Sequence, residues 1–399
     1  MNEHRLYEIL LGLRGLQVTN TLLSNRRIDL HCYVEKDVTN NECPNCGKAC
    51  STVNQYTTRS LRDLDISGRE VWLHIKTGQR YCNDCNRYFQ EPLWFADLGK
   101  SYTRRMAVYL YQLASSQSYM AVGRLVNIHS KTVERIVLAE SERLADLTTR
   151  YAQMRWLGID EQSHRKGRNS YFCVLTDLER GIIIDILPSR LKADLIKHFQ
   201  GLGTEWCAQI TAVSCDCWEA YIGAAETCFP NAYVSLDRFH VVKLLNKCLD
   251  GFRKELRKEH SDNPHFKKLK WVLAKQYHNL TDEQIDLLDA AFKESPELQV
   301  IYAKREGFHH ILDNAPNVDT AMEQWQQWQN SLVCEGITAF DTFTKLLDTK
   351  RRLVANYVTD LLTNAVTEGL NNLIRSVRRF SFGMTNFHNL RWRVLAIST

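Results

Sequence analysis

Two Cys-x-x-Cys pairs constrain this chain more than any other feature. Cys43-Pro-Asn-Cys46 and Cys82-Asn-Asp-Cys85 each put two thiolates on a tight turn, so both sulfurs of a pair can reach one tetrahedral ion. Two matched pairs supply the four ligands of Zn²⁺. A four-thiolate site leaves no open coordination position, so the expected zinc is structural rather than catalytic. The segment between the pairs must fold back on itself. Val71-Trp-Leu-His-Ile-Lys76 alternates apolar and polar residues as a strand does. Cys50 is a possible competing ligand. The chain has 13 Cys in all. Its start, Met-Asn-Glu-His-Arg, lacks the basic-then-apolar order of a signal peptide. No apolar run approaches the roughly 18 residues that span a bilayer. A reducing cytoplasm is therefore expected, with no membrane association, and disulfides are not.

The length, 399 residues, corresponds to two or three domains. With 44% apolar and 24% charged residues, disordered and collagen-like classes are excluded. The first hundred residues are strand- and turn-rich, and 101–150 read as helices. Within them, Ser118–Asn127 puts Tyr119, Val122, Leu125 and Val126 on one helical face. After the turn Ile128-His-Ser130, a second helix begins with Ser130 as its expected N-cap. That helix buries Val133, Ile136 and Val137 and turns Lys131, Thr132, Glu134 and Arg135 outward. The pattern fits a helix-turn-helix that reads a major groove, and equally an ordinary helical hairpin.

A strand series follows: Arg155–Ile159 ending at Asp160, Tyr171–Leu175, Ile182–Leu187, Ile210–Cys215 ending at Asp216, and Ala232–Leu236 ending at Asp237. From Val241 to Arg379 the chain reads as helix with short breaks. Strands followed by a long helical region indicate a multidomain α+β chain, with an α/β core carrying a helical addition.

Acids at the carboxyl ends of strands stand where α/β cores place their sites, although such an Asp also commonly caps the next helix. On a helix spanning 364–379, Val366, Leu370, Leu373, Ile374 and Val377 form one stripe. Glu368, Asn371, Asn372, Arg375 and Arg379 share the opposite face, which would suit a metal ion at one end and phosphates along the rest. Asp237 and His240, three apart, can hydrogen-bond. The loop His164–Arg168 is a solvated turn or a DNA-backbone contact. Trp325 and Trp328 are either helix packing or a platform for an unpaired base. The net charge is a mild +5, but seven Arg and only two acids lie from Arg351 onward. Ten Lys/Arg and four acids lie between Val241 and Lys275. Such patches suit an acidic polymer.

Read together, the Cys pairs, the helix pair, Gly158-Ile-Asp160-Glu161, the Asp216 strand, Asp237-Arg-Phe-His-Val-Val-Lys243, Thr363-Asn-Ala-Val-Thr-Glu368-Gly-Leu-Asn-Asn372 and Arg378-Arg-Phe-Ser-Phe-Gly383 resemble bacterial insertion-sequence transposases of the ISL-three family. The resemblance runs over essentially the whole chain. It implies a ribonuclease H-like core in which Asp160, Asp216 and Glu368 form an Asp-Asp-Glu catalytic set, with Asp237 and His240 as a signature close by. It implies a zinc-binding module (1–98), a helix-turn-helix (99–150), a first part of the core (151–240), a helical insertion (241–355) and a C-terminal part of the core bearing the Glu (356–399). The implied enzyme is a Mg²⁺-dependent DNA transposase using two ions, which Mn²⁺ replaces. It would bind the terminal inverted repeats of its element, cleave DNA and transfer strands to a target, as a homodimer or larger assembly on double-stranded DNA at the bacterial nucleoid. Lys131, Thr132, Arg135, Arg375, Arg378 and Arg379 are the candidate DNA contacts. The rival reading is a catalytically silent, domesticated DNA-binding regulator derived from a transposase. Cys215 and Cys217, flanking Asp216, depart from the small or apolar residues that relatives tend to carry there.

Overall fold

The computed structural model describes residues 3–35, 38, 40–165, 170–259, 265–362, 365–381 and 386–398. The chain divides into two compact units, residues 1–145 with 376–397, and residues 146–375 with 398–399.

The first unit opens with helix α1 (Glu3–Leu11) and a sheet of β1 (Leu16–Leu23), β2 (Arg27–Val34), β3 (Val53–Ile66), β4 (Arg69–Cys82) and β5 (Arg87–Gln90). The order is β1-β2-β4-β3, with β5 paired to the end of β4. The β3–β4 hairpin turns at Ser67-Gly68, both with positive φ, the two-residue geometry that matches strand twist. The alternation read in β4 is realised: Val71, Leu73 and Ile75 are fully buried against Ile28, Leu30 and Leu61.

The same unit holds α2 (Arg104–Ser116), α3 (Tyr119–Val126), α4 (Ser130–Ala145) and, from the C-terminus, α17 (Phe387–Ile397). Val122, Val126, Val133, Ile136 and Val137 share one core with Met106 and Leu110. Ser118 caps α3 by accepting from the Ala121 N–H, and Asn127 ends it in the left-handed conformation. A Cβ on Gly123 would stand 2.4 Å from the Ile128 carbonyl oxygen, so the tight turn between α3 and α4 requires glycine there. Ser130 is the first residue of α4 rather than its cap. His129 precedes it, its carbonyl accepting from the Val133 N–H and its Nδ1 from the Lys131 N–H. The ring nitrogen takes over the part expected of a Ser hydroxyl. Lys131 and Arg135 are exposed and Thr132 half-buried. Glu134, expected outward, accepts from the Asn389 side chain.

The second unit is built on α5 (Leu147–Tyr151), β6 (Trp156–Arg165), β7 (Ser170–Asp177), β8 (Ile182–Leu187), α6 (Lys192–Gly201), α7 (Thr204–Gln209), β9 (Ala212–Cys215), α8 (Glu219–Cys228) and β10 (Tyr233–Leu236). The sheet order is β10-β9-β6-β7-β8. Strands β6, β7 and β8 form an antiparallel meander, while β9 and β10 run parallel to β6. Strand β6 does not stop at Asp160. Its pairing with β9 ends at Ile159, but its ladder with β7 continues to Arg165.

The helical stretch comprises α9 (Arg238–Glu259), α10 (His265–Lys268), α11 (Asp282–Glu294), α12 (Pro296–Asn314), α13 (Val318–Cys334), α14 (Asp341–Ala355) and α15 (Tyr357–Asp360), followed by α16 (Ala365–Phe380). Its core corrects one reading of the sequence. Trp325 is wholly buried and stacked on Phe308 at 5.0 Å, and Trp328 donates its indole N–H to the Lys304 carbonyl. Both are packing residues, and neither offers a face to a base. Truncating such an aromatic costs about 3–5 kcal/mol. No helix among the described residues is long and apolar enough to cross a membrane.

Candidate active site and zinc knuckles

The sheet register builds the acidic site. Ile159, Cys215 and Leu236 lie side by side on β6, β9 and β10. The next residue on each strand is Asp160, Asp216 or Asp237, so three carboxylates leave one edge of three adjacent parallel strands. The Asp237 N–H donates to the Cys215 carbonyl at 2.7 Å and keeps that row together. Asp160 accepts from the Glu161 N–H at 2.7 Å. Asp216 accepts from the Trp218 N–H at 2.9 Å, just before α8. Asp216 does not cap α8, whose N-cap position is Trp218, and the bond to the Trp218 N–H occupies only its Oδ1. His240 Nδ1 lies 3.1 Å from Asp237 Oδ2, as their spacing implied.

Helix α16 is pinned across β6 and β7. The Thr367 hydroxyl lies 3.0 Å from that of Thr176 on β7, and Gln162 Nε2 donates to the Asn371 carbonyl at 2.8 Å. The Asn371 side-chain N–H then donates to Asp160 Oδ2 at 2.6 Å. Glu368 is exposed, next to Thr367 and one turn before Asn371. Asn371 is buried, so the polar stripe of α16 meets Asp160 at Asn371, while Glu368 and Asn372 are exposed. Sequence reading placed Asn371 beside Glu368 but did not single it out. The i, i+3 relation was the signal available.

Electrostatics mark the cluster. Burial pushes Asp160 upward in pKa, against the Glu161 N–H, the Asn371 amide and His240, which pull it down. Asp216 is likewise raised by burial, and the charges of Glu161 and Asp160 add to this. His240 is raised chiefly by its hydrogen bond to Asp237, with help from Asp216 and Asp160. A divalent ion bound among these desolvated carboxylates would favour their charged forms. The donors are hard oxygens of the kind Mg²⁺ and Mn²⁺ take. Cys215, between Ser214 and Asp216, is wholly buried and its thiol is pushed well up by burial.

The second cluster is the knuckle pair. The sulfurs of Cys43, Cys46, Cys82 and Cys85 lie within 4.8 Å of one another. Cys46 and Cys82 are 3.6 Å apart, and Cys43 and Cys85 3.9 Å. A tetrahedron with Zn–S bonds of about 2.3 Å has edges of about 3.8 Å, so the cage has the size zinc needs. The first turn is shaped by Gly47 at φ +72° and by the Gly47 N–H donating to the Cys43 carbonyl. Cys82 is drawn down to about 7, first by the Cys85 backbone N–H. Cys50 stands outside the cluster of four, its thiol toward the Lys48 carbonyl.

A family model described as a transposase matches residues 157–394. A second, described as the zinc-finger of transposase IS204/IS1001/IS1096/IS1165, matches residues 39–85. The chain belongs to the ISL-three family of transposases. The transposase is 27% identical over 349 residues to the transposase for insertion sequence element IS1001 of Bordetella parapertussis, covering 86% of this chain and 84% of that one. It is also 27% identical over 374 residues to the transposase for insertion sequence element IS1557 of Mycobacterium tuberculosis, covering 86% and 82%. The zinc-finger match spans all four clustered Cys, and together they support a structural Zn²⁺ in this transposase.

The remaining candidates fall as follows. Arg375 is exposed and donates to Asn372 at 2.6 Å, Arg379 is exposed, and Arg378 is half-buried. Thr363, Asn364, Phe382 and Gly383 of the family-like motifs, and most of the His164–Arg168 loop, lie outside the described residues.

Proposed function

We propose that this transposase mobilises the element that encodes it, by binding the terminal inverted repeats, cleaving a DNA strand at each end and joining the freed 3′ ends to target DNA. The observation that carries the reading is the row of Asp160, Asp216 and Asp237, the first where β6 loses its pairing with β9 and the others just past the ends of β9 and β10, with α16 tied to Asp160 through Asn371. The strand order, a three-strand antiparallel meander extended by two strands parallel to its first, supports a ribonuclease H-like core. Asp160, Asp216 and Glu368 are the acids that would hold two Mg²⁺ ions, with Mn²⁺ as a substitute. Bound there, the metal supplies Lewis acidity for an in-line displacement at phosphorus.

The chain's own groups do the rest. Both oxygens of Asp160 accept one hydrogen bond, Oδ1 from the Glu161 N–H and Oδ2 from the Asn371 amide, and each keeps a lone pair for a cation, while Asp216 has Oδ2 left over among the described residues. Asn371 holds Asp160 in one orientation, so little reorganisation is needed when a cation arrives. Glu368 closes the set from the helix. His240, whose pKa is raised by its hydrogen bond to Asp237, would offset part of the carboxylate repulsion when protonated. Arg375 and Arg379 are candidate partners for phosphates, and so is Arg378. The zinc knuckles and the α3–α4 pair, with Lys131, Thr132 and Arg135 on α4, are assigned to end recognition. Two ends must be processed together, so the working form is a dimer or larger.

A two-plasmid assay tests this. The donor carries a marker between the DNA flanks of the gene, and wild type is compared with Glu368→Gln. Wild type should move the marker, while the variant binds the flanks without moving it. Equal behaviour of the two proteins, with end binding but no cleavage under Mg²⁺ or Mn²⁺, would make the protein a DNA-binding regulator instead.

A further inference from the structure

Beside the acidic row lies an aromatic stack that the cleavage chemistry leaves unused. The Arg190 guanidinium sits 4.0 Å from the ring centre of Tyr171 and 4.8 Å from that of Trp218. Arg190 is also ion-paired with Glu161, the residue after Asp160. Trp218 is 44% exposed, and its backbone N–H is the donor to Asp216. The stack is therefore tethered at both ends to the row of acids, through Glu161 to β6 and through Trp218 to the turn after β9. Residues 160 and 161 point to opposite sides of β6, so the stack stands across the sheet edge from Asp160. Asp216 feels the charges of both Asp160 and Glu161.

Exposure beside a cation does not by itself single out this indole, since Trp271 is 71% exposed with Lys270 4.7 Å from its ring centre. What sets Trp218 apart is its place, with its own backbone N–H on Asp216 and its stacked cation paired to Glu161. The arrangement has the parts of a single-strand platform, an aromatic face and a positive charge, both sequence-tolerant in what they accept. Base unpairing next to the cleaved phosphate would also let a strand bend into the acidic edge.

The geometry points to Trp218 as a stacking site for an unpaired nucleobase of the DNA strand whose phosphate lies at Asp160 and Asp216, with Arg190 and Tyr171 as positioning residues that hold the indole. This site rests on the transposase reading of the acids, and its test separates the two. Terminal-repeat duplexes carry 5-iodouracil at successive positions around the cleaved phosphate. They are bound to the full-length Asp160→Asn protein, which should hold DNA without cutting it, and irradiated. Cross-linking should peak at one or two nucleotides and map to Trp218. It should vanish in Trp218→Ala in the same background and persist in Trp218→Phe.

In the otherwise wild-type protein, Trp218→Ala should slow cleavage on the order of tenfold to a hundredfold, the worth of one stacked base. An abasic nucleotide at the cross-linked position, which removes the base to be unstacked, should narrow that gap, and Trp218→Phe should recover most of the rate. Loss of packing alone would lower the melting temperature and would not respond to the abasic substrate. Cross-links elsewhere, none at all, or an unchanged Trp218→Ala cleavage rate would overturn the site. A cross-link to Trp218 with no cleavage by wild type would leave the site standing and overturn the catalytic assignment.

Discussion

Asp216 shows how one residue carries opposite demands. Its carboxylate is raised by burial and by neighbouring acids, so the metal-free fold favours the protonated form. Its favourable contribution is complete below the ordinary value of 3.8 and is lost as pH rises through the raised one. At neutral pH the ionised group strains the fold, and a divalent cation should relieve that strain. Asp216→Asn keeps the acceptor for the Trp218 N–H and removes the charge. Without metal at pH 7, the variant should melt at or above the wild-type temperature. Mg²⁺ or Mn²⁺ should raise the melting temperature of wild type but not of the variant. A variant that melts well below wild type without metal would contradict this trade between stability and function. His240 carries the opposite sign. Its pKa is raised by Asp237, so the ion pair stabilises fully below the ordinary 6.5 and fades as pH rises through the elevated value. In melts from pH 5 to 9 without metal, the deficit of His240→Gln should be largest at the acid end and shrink toward the alkaline end.

Elements show what was legible in the sequence and what was not. The strand ends at Asp216 and Asp237 were readable because apolar runs stop where the buried sheet stops. The continuation of β6 beyond Asp160 was not, because a strand that loses one neighbour and keeps the other leaves no mark in composition. The helical period of α16 was visible, but its buried face is Thr367, Asn371, Ile374 and Val377, while Val366 of the expected apolar stripe is exposed; the contact that matters, Asn371 to Asp160, spans 211 residues of sequence, and periodicity reports no partner. The start of α4 was misplaced by one residue because a His ring nitrogen took a role that propensity gives to Ser. Trp325 and Trp328 carried no signal that separates packing from recognition, whereas Trp218, beside Asp216, passed without notice because its stacking partner Arg190 is remote in sequence. The Cys pairs were legible because metal chemistry dictates spacing. One zinc per chain is expected by elemental analysis. Cys82→Ser should lose most of it and lower the melting temperature, as a strong chelator does, because the sheet end at β4–β5 would lose its tie to the first knuckle. Cys50→Ser should retain the metal. Zinc loss in Cys50→Ser with retention in Cys82→Ser would reverse the ligand assignment.

At the scale of the molecule, the acids proposed for catalysis all come from a single chain: Asp160 from within β6, Asp216 from just past the end of β9 and Glu368 from a helix more than 150 residues later. One chain thus carries one complete acidic set, yet an element has two ends, and a strand transfer that moves it must use both. In the proposed assembly, two chains related by a twofold axis would each serve one end. If each chain acts at its own end, mixing wild type with Glu368→Gln before assembly yields subunit pairs in random combination. At equal amounts, about a quarter of pairs would be wild type at both positions, so products joined at both ends should fall to about a quarter. Total end cleavage should fall only to about half, since every wild-type subunit still cuts, and the mixed pairs should yield single-end products. If instead one active site served both ends in turn, the two products would fall in parallel. Gel analysis of single-end and double-end products over a range of mixing ratios distinguishes a squared dependence from a linear one. The squared form requires that moving the element draws on two complete acidic sets, one from each chain, each built by that chain's own sheet and helix.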